Sequence, residues 1–232
     1  MRIIKITGII LLVLFLFMGC DNETQEPQNT KPRVKAVLKA SGAETIKATV
    51  YVEGPDGNAL NGSVVTIKDS RNILTQLEYS SSTCSYNGTL TELSGDTTYV
   101  VEASTILSPK NITINIPYTR VEIVPNVTIF QDAAGASVLK GNSLASEQPI
   151  HLGWSDCGAG TNYQLSIKTA LKTVYSVSTN ACIITVPANS IPPGSYSLEI
   201  SAQKAQGDIY LRSLPYYSVS AITAPLVSCS VF

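Results

Sequence analysis

The sequence predicts an all-β protein with two tandem antiparallel β-sandwiches that follow a signal peptide and a short tether. Short runs of alternating apolar and polar residues recur between turn residues, at the spacing typical of sandwich strands. No long stretch shows the apolar periodicity of a helix. Charged residues make up only 14% of the 232-residue chain, against an average of about 25%. Ser, Thr, Val and Ile are abundant instead, as expected for half-buried pleated surfaces.

The chain begins with a segment of the secretory type. Two basic residues, Arg2 and Lys5, precede the unbroken apolar run of residues 9–18, and Gly19 and Cys20 close the segment. The apolar run is too short for a comfortable membrane span, so residues 1–19 are predicted to be a signal peptide. The Gly19-Cys20 end resembles the lipobox of bacterial lipoproteins, in which signal peptidase II cleaves before a cysteine that already carries lipid.

This resemblance implies that Cys20 becomes the first residue and holds a covalent lipid, and no cofactor is expected. Two or more acyl chains anchor a protein stably, whereas one does so only marginally. The expected location is the bacterial cell envelope, on its periplasmic or cell-surface face. Phe17 and Met18 depart from the usual lipobox residues. An ordinary secreted product and an uncleaved N-terminal anchor therefore stay open as alternatives.

Residues 20–32 are polar, contain proline and lack periodicity, which predicts a lipidated flexible tether. From Cys20 onward, 14 of the 16 basic residues remain beside all 17 acidic ones, a formal side-chain charge of −3. The sequence contains no cluster of Lys and Arg residues, so nucleic acid is not an expected partner.

The first sandwich is assigned to residues 33–122. Turn sequences such as residues 54–58, Asn61-Gly62 and residues 94–96 separate its alternating runs. Seven strands are predicted, at residues 34–40, 45–53, 63–68, 73–79, 82–90, 98–105 and 111–116.

A boundary between two patterned regions lies near residues 120–126, and the second sandwich is assigned to residues 123–232. Its predicted strands are residues 126–131, 149–154, 163–169, 173–178, 182–186, 195–203, 210–214 and 217–222.

The second sandwich resembles a fibronectin type III or related immunoglobulin-like module. Trp154 matches the core tryptophan of the second strand, and Tyr163 matches the tyrosine of the third strand. In IPPGSYSLEISAQ, the resemblance implies that Ile191 plugs the core. It also implies that Tyr196 forms a tyrosine corner, with its hydroxyl bonded to the turn backbone. The two cysteines of this region are not typical of the family.

The first sandwich resembles a carboxypeptidase-regulatory-like module, through residues 54–69 and through LTELSGDTTYVVEAST at residues 90–105. Tyr99 occupies the place in the closing turn and strand that the tyrosine of those domains occupies. A generic immunoglobulin-like domain stays open as the alternative.

Four cysteines remain once Cys20 is assigned to lipid, an even number that permits two disulfides in an exported chain. We expect a Cys157–Cys182 bridge, because both residues lie in the second sandwich and bracket neighbouring predicted strands. Cys84–Cys229 would then tie the first sandwich to the C-terminus. Free buried thiols are the alternative for Cys84 and Cys229.

No motif predicts an enzyme. The single histidine, His151, lies on a predicted strand without a nucleophile elbow, and no Cys/His cluster predicts a metal site. We expect a non-enzymatic protein-binding, adhesion or structural module that contacts the membrane through its lipid. A glycan-binding accessory lipoprotein using exposed tyrosines (Tyr210, Tyr216 and Tyr217) is the first alternative, and an enzyme with a site not visible in sequence is the last.

Overall fold

The computed structural model describes residues 31–42, 44–130, 137–138, 143–207 and 215–231. These residues form eighteen β-strands and no helix. Within these ranges, nothing helical is long or apolar enough to cross a membrane.

The first sandwich contains strands β1 to β8, which alternate between two sheets. Their bounds are β1 Arg33–Ala40, β2 Thr45–Glu53, β3 Val64–Lys68, β4 Leu74–Gln76, β5 Glu78–Ser80, β6 Ser85–Thr91, β7 Asp96–Ser104 and β8 Ile112–Thr119. One sheet has the order β1-β2-β6-β5 and the other the order β4-β3-β7-β8.

The second sandwich contains the remaining strands. Their bounds are β9 Val127–Phe130, β10 Ser137–Val138, β11 Ser143–Leu144, β12 Ile150–Trp154, β13 Asn162–Lys168, β14 Thr173–Thr179, β15 Ile183–Val186, β16 Gly194–Gly207, β17 Tyr216–Thr223 and β18 Val227–Val231. One sheet has the order β10-β9-β12-β15. In the second sheet, β16 is the central strand and pairs with β13, β17 and β18.

Each sandwich encloses its own hydrophobic core, because alternate residues of strands such as β2, β7 and β13 point inward. In the first sandwich the largest fully buried side chains include Tyr99, Tyr118, Leu38 and Ile67. In the second, Trp154 and Tyr163 lie in a core that strands of both sheets line. The predicted all-β fold of two tandem sandwiches is confirmed.

Leu77 marks a local error in the strand prediction. Residues 73–79 were expected to form one strand, but they divide into β4 and β5, which belong to different sheets. Between them, the Leu77 amide donates to the Val65 carbonyl at 2.9 Å, and the Leu77 side chain is buried against Gly88. A Cβ on Gly88 would lie 2.5 Å from Leu77 Cδ2, so glycine makes room for this crossing.

The two sandwiches share one ten-stranded sheet. Strand β16 continues past the predicted end at residue 203 to Gly207, and β17 pairs along this extension. The first residues of β17 then pair in parallel with β1, from Ala36 opposite Tyr216 to Lys39 opposite Val219. The β16–β17 hairpin of the second sandwich therefore adds a strand to the edge of the first.

Candidate functional site

Cys20, the predicted lipid-bearing residue, lies outside the described residues, as does Tyr210. The other predicted site residues are described, and they fall into three groups. These are the cysteines, the aromatic residues of the fold signatures, and His151.

The four described cysteines are free thiols. Cys157 and Cys182 lie around one tyrosine: the Cys157 amide donates to Tyr163 Oη at 2.8 Å, and the Cys182 Sγ lies 3.6 Å from the same oxygen. Burial raises the pKa of the Cys157 thiol, with the nearby Asp156 and Cys182 acting in the same direction. The Cys157–Cys182 bridge stays a prediction, and both residues contact the hydroxyl of Tyr163.

The predicted Cys84–Cys229 bridge is wrong for this fold. Cys84 immediately precedes β6, whose Tyr86 is in register through Val50 and Ala36 with Tyr216 of β17. Cys229 lies on β18, which continues beyond β17 along the same edge of β16. The thirteen positions from Tyr216 to Cys229 along this edge amount to roughly 40 Å, whereas a disulfide needs Cα atoms within about 7 Å. Cys84 is exposed, and Cys229 is buried in the second core.

Trp154 and Tyr163 pack against each other with ring centroids 5.5 Å apart, on β12 and β13 respectively. Tyr163 Oη donates to Asp156 Oδ1 at 3.2 Å, and burial raises the pKa of Tyr163. Trp154 Nε1 is buried and has no hydrogen-bond partner among the described atoms. These side chains are core elements of the sandwich.

Each sandwich contains a tyrosine that fixes a turn to the following strand. Tyr196 Oη donates to the Pro192 carbonyl at 2.7 Å, which is the bond of a tyrosine corner, and Ile191 beside it is buried. In the first sandwich, Tyr99 Oη donates to the Thr91 carbonyl at 2.9 Å. Both sandwiches therefore contain a tyrosine whose hydroxyl donates to a nearby backbone carbonyl.

His151 lies on β12 with Nδ1 3.0 Å from Thr185 Oγ1, a strand-to-strand contact with β15. Across the described part of the chain, no three His, Cys, Asp or Glu residues group in a way that could hold a metal ion. Of the tyrosines named for the glycan alternative, Tyr216 is half-buried and packs against the first core, and Tyr217 is also half-buried.

The join between the sandwiches contains a buried polar cluster that sequence reasoning missed. Glu92 Oε1 accepts hydrogen bonds from Tyr118 Oη at 2.7 Å and from Ser220 Oγ at 3.1 Å. Glu92 and Tyr118 belong to the first sandwich, whereas Ser220 lies on β17. Burial is the main cause that raises the pKa of Tyr118. No sequence signal could reveal this contact, because 128 positions separate Glu92 from Ser220.

Further hydrogen bonds complete the join. Ser220 Oγ accepts from the Val121 amide at 2.9 Å, Ser218 Oγ donates to the Pro117 carbonyl at 2.7 Å, and Gln206 Nε2 donates to Thr119 Oγ1 at 2.7 Å. Buried polar groups are stable only when they are satisfied. This network therefore holds the two sandwiches in one arrangement.

Comparison with known proteins finds no matching protein-family model and no matching curated protein. Among solved structures, the chain is similar to fibronectin(III)-like modules of Clostridium thermocellum CbhA, with 12% identity, coverage of 90% of this chain and 91% of that one, and a TM-score of 0.43. It is also similar to a cytokine receptor complex, with 12% identity, coverage of 84% and 94%, and a TM-score of 0.37.

A third similar structure is the Yersinia pseudotuberculosis adhesin InvE, at 17% identity, covering 84% of this chain and 59% of that one, with a TM-score of 0.27. Likenesses at this level carry no function across to this chain. The assignment of the fold rests on the strand pairing, the two cores and the tyrosine bonds described above. The chain is a tandem of two β-sandwiches joined through a shared sheet.

Proposed function

We propose that this chain is a membrane-anchored extracytoplasmic lipoprotein whose two sandwiches act as a non-enzymatic protein-binding, adhesion or structural module. Residues 1–19 would be removed, Cys20 would carry the lipid, and residues 20–32 would link it to sandwiches at residues 33–122 and 123–232. The proposed location is the bacterial cell envelope.

The observation that supports the binding or structural role is the shared sheet. Two domains in one chain ordinarily move relative to each other unless their interface is extensive. Here β17 pairs with β1 over four residue pairs, and Ser220, the residue after the last pair, belongs to the Glu92–Tyr118–Ser220 cluster. A stiff two-domain body suits a protein that presents a surface at a fixed distance from its anchor.

The strand directions define the two ends of this body. Since β1 and β17 run in parallel, the chain direction from Arg33 through β17 and β18 leads from the first sandwich to the far end of the second. At that far end, Leu171 stands in the turn between β13 and β14 with 96% of its surface exposed. The membrane anchor would lie at the opposite end, where β1 begins.

The anchor is tested by labelling cells with a palmitate analogue and by blocking signal peptidase II with globomycin. We expect Cys20→Ala to abolish labelling and release the protein from membranes, because the thiol is the acceptor of the lipid. Cys84→Ala is the matched control, since it removes an exposed thiol and leaves Cys20 in place. A Cys20→Ala protein that stays equally membrane-bound would contradict the anchor.

The binding role is tested by site-specific photo-crosslinking on intact cells, with the crosslinker at position 171. A partner that binds the membrane-distal end should give one discrete crosslinked protein. The matched position is Leu74, which is also exposed but lies in the first sandwich. Equal crosslinking at both positions, or none at position 171, would count against a partner at the distal end.

A further inference from the structure

Three exposed apolar side chains gather at one end of the first sandwich. Ile106 and Leu107 follow β7, with 91% and 48% of their surfaces exposed, and Val64 at the start of β3 is 53% exposed. Val64 pairs with Ser104 across the sheet, which places it beside the loop that carries the other two. We call Val64, Ile106 and Leu107 the apolar tip.

The loop that carries the apolar tip is structured by its own hydrogen bonds. Thr105 is buried, its Oγ1 accepts from the Leu107 amide at 3.3 Å, and its carbonyl accepts from the Ser108 amide at 3.3 Å. Ser108 Oγ donates to the Lys110 carbonyl at 2.7 Å. The turn therefore holds Ile106 outward as part of the fold, although burying this side chain would be favourable.

The apolar tip lies at the end of the sandwich where the described chain begins. Arg33 pairs with Glu53, so the start of β1 and the end of β2 are adjacent. A compact turn leads from Glu53 to β3: Leu60 donates its amide to the Val52 carbonyl, and the Ser63 amide donates to Tyr86 Oη. Val64, Arg33 and the 105–111 loop thus share one end.

The proposed anchor keeps this end close to the membrane. Ten residues, 21–30, separate the lipid-bearing Cys20 from the described chain, and ten residues span at most about 36 Å even when fully extended. A tethered surface experiences a high effective concentration of its target, so weak contacts suffice. Lys110 lies in the same loop, and its charge suits the phosphates of lipid headgroups.

We propose that the apolar tip docks into the headgroup region of the membrane that anchors the chain, holding the two-sandwich body upright on it. This inference rests on the proposed lipid anchor and adds a second contact to it. Insertion of a few apolar side chains strengthens membrane binding in proportion to the apolar area they bury. The opposite end, with Leu171, would then point away from the lipid.

The test uses the full-length lipidated protein on vesicles of phosphatidylethanolamine and phosphatidylglycerol, with and without brominated acyl chains. Leu107→Trp places an indole in the apolar tip. Leu74→Trp is the matched control, because Leu74 is 60% exposed on the same sandwich but lies at the other end of β3, opposite Lys68. Trp154 is buried and contributes the same background to both variants.

We expect Leu107→Trp to show blue-shifted emission and about twofold stronger quenching by brominated lipid than Leu74→Trp, since only the tip reaches the acyl boundary. Adding Ile106→Ser to Leu107→Trp should weaken that quenching. Equal quenching of both indoles, or stronger quenching of Leu74→Trp, overturns the docking proposal.

The outcomes separate the docking from the anchor. If the wild-type protein floats with vesicles while Cys20→Ala does not, and Leu107→Trp remains unquenched, the anchor stands and the docking fails. If the wild-type protein and Cys20→Ala float equally little, the anchor itself fails. A dimer that Ile106→Ser dissociates in sedimentation, without quenching by lipid, would assign the apolar tip to a second copy and overturn membrane docking.

Discussion

Tyr118→Phe probes the polar cluster that joins the two sandwiches. The change removes one hydroxyl from a residue with 1% of its surface exposed, and it takes away the shorter of the two hydrogen bonds to Glu92 Oε1, at 2.7 Å. A hydrogen bond to a charged group contributes about 1.5–3 kcal/mol. We therefore expect the free energy of unfolding to fall by roughly 2 kcal/mol.

The assay is urea unfolding followed by circular dichroism. With a denaturant slope of about 2 kcal/mol per molar, this loss lowers the midpoint by roughly 1 M. Tyr175→Phe is the matched control, because the structure gives the hydroxyl of this partly buried tyrosine no hydrogen bond among the described residues. It should leave the midpoint nearly unchanged.

A double-mutant cycle then assigns the effect to the cluster. Once Ser220→Ala has removed the second donor to Glu92, the cost of Tyr118→Phe should change, because the two hydroxyls share one carboxylate. We also expect the paired variant to unfold in two separate transitions, since the join would no longer couple the sandwiches. Strict additivity, together with a Tyr118→Phe midpoint equal to that of Tyr175→Phe, would refute the reasoning.

The remaining predictions concern single groups. Tyr196→Phe should destabilise the protein by about 1 kcal/mol in the same assay, because the corner bond to its turn is lost. An unchanged urea midpoint for Tyr196→Phe would mean that this hydrogen bond does not contribute to the free energy of unfolding. The pKa of Asp69 is lowered: burial opposes this shift, but bonds from Arg71 and from backbone amides outweigh it. Stability from Asp69 is thus present above about pH 4 and lost as pH falls through the folded pKa, so Asp69→Asn should flatten the acid limb of a stability–pH profile. In native protein, a thiol reagent at neutral pH should modify exposed Cys84 first, while buried Cys157, whose pKa is raised, reacts after unfolding. Equal rates at both thiols would contradict the burial described.

The sequence was sufficient for the fold class because local alternation sets which face of each strand is buried. It also singled out Tyr99 and Tyr196, since a tyrosine bonded to a nearby turn has a local signature. The sheet switch at Leu77 was missed, because alternation continues through a residue that passes from one sheet to the other. The local sequence does not distinguish one continuous strand from two short strands in different sheets.

The contacts between sandwiches were beyond sequence reasoning for a different reason. The extension of β16 to Gly207 and the pairing of β17 with β1 depend on where two folded domains meet. The same limit explains the error at Cys84 and Cys229, whose pairing was inferred from an even count. Only the strand pairing and its register reveal how far apart they lie.

The parallel pairing of β1 with β17 has a consequence for the order of folding. The edge of β1 is completed by residues about 180 positions later in the chain, from Tyr216 to Val219. During synthesis, this edge stays unpaired until nearly the whole polypeptide has emerged, and unpaired edges invite association with other chains. Long-range pairing is also slow to form. A chain truncated before residue 215 should therefore be prone to aggregate through its first strand, although every residue of the first sandwich itself is present.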